Sequence, residues 1–131
     1  MAYSAWAPLA GSADLVVLVV RVVMGGVMVY YGWPKVKAPR KNAQDFEKGG
    51  FTPGWFWGTI VLLVEFMGGL SIVAGFYTWL AASLIGVEML TGTVWKITKA
   101  HKPFPDWSYD LLLMALALML LVVGPGAYAL G

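Results

Sequence analysis

Three charged residues stand inside long apolar runs, and they are where this sequence could do chemistry: Arg21, Glu65 and Glu88. A charge left bare at the bilayer centre costs at least about 3 kcal/mol on insertion scales, so each should turn inward and find a partner. Guanidinium presents a fork of donors that matches a carboxylate. Counted inward from the flanking aromatic residues at 1.5 Å per helical residue, Arg21 lies about 18 Å deep, Glu65 about 15 Å and Glu88 about 10 Å. Arg21 and Glu65 are therefore expected to pair. Glu88 would share the arginine or stand protonated as a donor. Such a group reads in two ways: as glue between helices, or as a pocket for a quinone, a small anion or protons.

Other residues extend this set. Gly68 and Gly69 follow Glu65 by one helical turn. They let helix backbones approach closely, or leave a flat ring room beside the carboxylate. Lys35 is either a snorkelling anchor or a positive charge for an anion or headgroup. The expected ligand-binding set is Arg21, Lys35, Glu65, Gly68, Gly69 and Glu88, with no catalytic residue and no metal ligand assigned. Asp14 and Asp110 read as first-turn helix acids, or as marks of a pocket mouth. Thr59, Ser71, Ser83 and Thr91 read as residues that bond their own helix backbone. His101, the single histidine, falls in a loop and cannot supply both axial ligands of a b-type haem. Cysteine is absent, which removes disulfides, thiolate nucleophiles and cysteine-held metal centres. The methionines read as core or lipid-facing residues, and no phosphate-cradling glycine loop occurs.

The elements that position these residues follow from composition. Of 131 residues, 60% are hydrophobic and 12% charged, about half the charge usual for a soluble domain. One domain is expected over residues 1–131, as an all-α, integral membrane four-helix bundle. The first span covers about 14–33, with Ser12 as N-cap and Pro34 as the stop. The start has no Lys or Arg before its apolar run, so it is read as uncleaved. Residues 55–95 form an apolar tract that would rise about 60 Å as one helix, twice the hydrocarbon core, and so must fold back. The turn is placed near Gly75–Thr78, giving spans of 55–74 and 78–95. The last span covers 107–123 and ends at Gly124-Pro125-Gly126. A short interfacial helix fits around Asn42 to Lys48. Eight of the nine basic residues lie in the two polar connections. The positive-inside rule makes that side cytoplasmic and puts both termini outside.

The order and spacing of these residues resemble the DoxX family. Arg21-x3-Gly25-x6-Gly32-x2-Lys35, Phe51 after Gly49-Gly50, Glu65-x2-Gly68-Gly69-x5-Gly75 and the closing Gly124-Pro125-Gly126 carry the resemblance, over about residues 14–126. It implies a four-helix membrane bundle related to the DoxD-type subunit of thiosulfate:quinone oxidoreductase, in a prokaryotic cell membrane. It also implies oxidative-stress or thiol-homeostasis complexes as a setting. Glu88 has no counterpart in the pattern.

The leading expectation is a membrane subunit of a respiratory or thiol-redox complex with a quinone or small-anion pocket around Arg21 and Glu65. The chain would carry no intrinsic cofactor beyond a bound quinone. Expected partners are membrane-complex proteins, lipid and further copies of the chain, but no nucleic acid. The alternatives are a noncatalytic anchoring subunit, and a small-molecule or proton-coupled transporter.

Overall fold

A computed structural model describes residues 12–130; the start read as uncleaved lies outside them. Five helices follow in order: α1 Ala13–Lys37, α2 Pro39–Lys48, α3 Gly54–Ala74, α4 Thr78–Thr98 and α5 Phe104–Val123. All but α2 are long and apolar enough to cross a membrane. The molecule is an all-α membrane bundle.

Each span buries a narrow stripe. On α1 it comprises Val17, Arg21, Met24, Gly25, Met28 and Gly32. The core joins Met24, Met28, Ile72, Ile85, Met89, Leu113, Ala117 and Leu120, spaced three or four apart within each helix. Outward-facing positions are also apolar, Val19, Leu63, Leu112 and Val122 among them. In water so much exposed apolar surface would drive aggregation; in hydrocarbon it is matched to its solvent.

α1 and α3 are antiparallel, and glycine brings them together. A Cβ on Gly25 would run into the Gly69 carbonyl and stand 2.6 Å from Val73 Cγ2. A Cβ on Gly32 would stand 3.1 Å from the Phe66 nitrogen. α1 also runs one turn past Pro34, which was expected to stop it, and closes with the Ala38 N–H donating to the Pro34 carbonyl at 3.1 Å. Proline removes one donor without ending the helix here. Ser12 occupies the N-cap position but makes no side-chain capping bond.

Short α2 folds back onto α3. Buried Asn42 donates to the Gly58 carbonyl at 2.8 Å, and Gly54 and Gly58 leave room for Ala43. The α3–α4 turn is a Schellman closure: Gly75 has φ +71°, Phe76 N–H donates to the Ser71 carbonyl and Gly75 N–H to that of Ile72. At the other end the first polar connection reaches the last turn of α4, where Trp95 Nε1 donates to the Gly49 carbonyl at 3.0 Å. α3 and α4 link an α1/α3 pair to an α4/α5 pair, while α1 and α5 barely touch. That leaves a groove between them.

Candidate functional site

Arg21 does not pair with Glu65. Its guanidinium is 1% exposed and donates only to backbone carbonyls: Ile72 from Nε, Val73 and Tyr128 from Nη2, Pro125 and Tyr128 from Nη1, at 2.7–3.2 Å. Two of these carbonyls end α3, where the helix dipole favours a cation. The others belong to the tail after Gly124, which α1 also holds through Asp14, accepting from Ala127 N–H at 3.1 Å. Arg21 is thus a clasp for the C-terminal tail, with every donor engaged. The expected pairing failed on register. Trp33 stacks near Phe66, with ring centroids 5.9 Å apart, rather than level with Trp55. Ile72 lies seven residues beyond Glu65, so Arg21 sits about 10 Å further along the bundle.

Glu65 takes Lys35 instead. Lys35 Nζ contacts both carboxylate oxygens, at 2.6 and 2.8 Å, one bridging pair between α1 and α3. A second pair joins α4 and α5: Lys96 Nζ donates to Asp110 Oδ2 at 2.9 Å and to the Asp106 carbonyl at 3.1 Å. Asp110 is no first-turn acid, because α5 begins at Phe104; it is buried one turn deeper. Between the two pairs stands Glu88. Both its carboxyl oxygens are buried, with no hydrogen-bond partner among the described residues. It lies within electrostatic reach of Glu65, Lys35 and Asp110.

The expected set divides accordingly. Lys35, Glu65 and Glu88 come together, and Arg21 stands apart. Gly69 packs against Gly25, and Gly68 faces Ile85 of α4 at 3.6 Å from its Cβ position, so both glycines serve helix contact. Ser83 and Thr91 bond their own helix backbone as expected, to Trp79 and Val87. Lys96 and Tyr109 were missed, and Asp110 was named only as a first-turn acid or the mark of a pocket mouth.

An open, shallow groove of about 490 Å³ runs along α1, lined by Val22, Val23, Gly26, Val27, Tyr30 and Tyr31, with Tyr109 as its contribution from α5. Tyr31 and Tyr109 pack against each other at its end, with ring centroids 5.5 Å apart. Tyr109 also lies within electrostatic reach of Glu65, Asp110 and Glu88. The groove therefore has an apolar floor from α1 and a phenolic end beside buried carboxyls.

The sequence model of the DoxX family matches residues 16–98. Over 124 residues the chain is 33% identical to Inner membrane protein YqjF of Escherichia coli (strain K12), covering 89% of this chain and 90% of that one. The chain belongs to the DoxX family. No solved structure matches it. The DoxX match holds Arg21, Lys35, Glu65, Gly68, Gly69, Glu88 and Lys96 but stops at the end of α4. In this DoxX protein, Tyr109, Asp110 and the tail clasped by Arg21 therefore lie beyond the matched stretch.

Proposed function

We propose that this protein binds a quinone-class ligand in the α1–α5 groove, as a membrane subunit of a respiratory or thiol-redox complex. The observation that carries the reading is the groove itself. It is open to the bilayer and holds about 490 Å³, room for a flat head seated on one side. A flat head would lie against Tyr31 and Tyr109, whose hydroxyls can donate to ring carbonyls. An isoprenoid tail would run along Val22, Val23 and Val27 into lipid. With no cysteine and a single, exposed histidine, the chain offers no electron carrier of its own, so electrons come from a partner. The printed name of the Escherichia coli relative supports an inner-membrane location. The basic residues gathered at one end support a cytoplasmic position for both polar connections.

The test fills the groove. A Cβ on Gly26 meets nothing within 4 Å, so Gly26→Phe should occupy the groove without disturbing packing. Purified protein in nanodiscs is titrated with a short-chain benzoquinone. The variant should bind at least about tenfold more weakly, a loss of about 1.4 kcal/mol, with an unchanged melting temperature. Equal affinity would remove the groove from the account.

A second reading, a noncatalytic anchoring subunit, is favoured by α2, which is docked on α3 and carries exposed Arg40, Lys41 and Lys48. Crosslinking in native membranes should then recover one defined partner through α2. Recovery of uncrosslinked chain only would count against this reading.

A further inference from the structure

We propose that Lys96, Asp110 and Glu88 form a proton path leading from the basic end of the bundle to its interior. Glu88, Gly92 and Lys96 succeed one another at four-residue spacing along one stripe of α4. Gly92 supplies the gap: Asp110 Oδ2 lies 3.5 Å from where its Cβ would be, so the carboxylate of α5 rests over the stripe between the other two groups. Lys96 is the open end, with its side chain 31% exposed, and Asp110 the closed one at 8%. Glu88 follows one turn inward on the same stripe, with Asp110 within its electrostatic reach. A water between the two carboxyl groups would complete the step.

The contrast among the acids carries the argument. Glu65 and Asp110 each hold a lysine, as structural carboxylates in a bilayer must. Glu88 holds nothing, although Glu65 and Lys35 approach it from α3 and α1, and Asp110 and Tyr109 from α5. A carboxyl with no structural partner at that depth lowers stability, and groups retained against stability are characteristic of functional sites. The step is proton transfer alone. Hydronium at the Lys96 end loses an O–H bond and becomes water as one forms on Asp110; that bond breaks as one forms on Glu88; release reverses the order, and no electron moves. The path deepens the quinone reading, since it ends beside Tyr109, but proton exchange at Glu88 requires no ligand.

Infrared spectroscopy of the full chain in nanodiscs, without quinone, tests it. A protonated-carboxyl band should appear during a pH titration and vanish in Glu88→Gln. After transfer to D2O the exchange of that band should slow at least tenfold in Asp110→Asn and in Gly92→Val, which fills the space where the Asp110 carboxylate rests. Glu88→Gln should keep or raise the melting temperature, whereas a structural Glu88 would lower it. Absence of a Glu88 band at every pH where the protein is folded, or unchanged exchange in Gly92→Val, overturns the path. Because no quinone is present, failure of the groove to bind quinone would leave this result standing, and the converse holds too.

Discussion

Lys35 and Glu65 bridge α1 and α3 with side chains 30% and 12% exposed. Removing one partner strands the other, so Lys35→Met should lower stability by roughly 1–3 kcal/mol, less than for a fully buried pair because water reaches the lysine. The double variant Lys35→Met/Glu65→Met should recover most of that loss, as read by unfolding midpoints in mild detergent. Arg21 predicts a different signature. Arg21→Ala removes five charge-assisted bonds and should cost about 3 kcal/mol or more. It should also free the tail, so that chymotrypsin cuts after Tyr128 faster than in the parent; an unchanged rate would show that the tail is held otherwise. At this scale the sequence revealed which residues had to turn inward but not whom they would meet. Membrane depth was measured from aromatic residues, and Trp33 is not level with Trp55. Reflection about the connection would have served better. Lys35 and Glu65 are equidistant from Gly50, as Lys96 and Asp110 are from Pro103. Reflected in the same way, Arg21 falls opposite Trp79 at the start of the next helix, past the Ile72 and Val73 carbonyls that receive it, so the rule holds near the connection and drifts away from it.

Two adjacent glycines separate packing from propensity within α1. Gly25 abuts Gly69 and Val73 of α3, whereas Gly26 opens on the groove. Gly25→Ala should destabilise by roughly 1–3 kcal/mol through overpacking. Gly26→Ala should be neutral or stabilise by up to about 1 kcal/mol through helix propensity. Thermal midpoints of the two variants moving together would contradict the α1–α3 contact. Asn42→Ala leaves the Gly58 carbonyl without its side-chain donor and should loosen α2, at about 1–2 kcal/mol. The four spans and their turn were legible because length, apolar runs and Gly75 are local signals. Helix ends were less so. Pro34 reads as a stop and is not one, because tertiary packing carries α1 past it. Trp107 reads as the start of the last span, yet α5 begins at Phe104, and those extra residues bury Asp110.

Across the whole molecule, both polar connections lie at one end, where Trp95 donates to the Gly49 carbonyl, with the α3–α4 turn and the tail at the other. Single cysteines at Lys41 and His101 should therefore be labelled from the same face of sealed vesicles by an impermeant maleimide, and one at Tyr77 from the opposite face. Split labelling of the first two would break the four-span topology. Besides the α1–α5 groove, a smaller one of about 260 Å³ opens between α3 and α4 and includes Leu63, Met67, Gly68 and Leu84. The first ends at Tyr109, which lies within electrostatic reach of Glu65, Asp110 and Glu88. The most direct measurement is photolabelling of the protein in native membranes with an azido-quinone, followed by mapping of the modified peptides. Modification concentrated on Val22 to Tyr31 and around Tyr109, and abolished by Gly26→Phe, is the predicted result. Modification of Leu63 to Leu84 instead, or labelling spread evenly over the lipid-facing surface, would contradict the assignment.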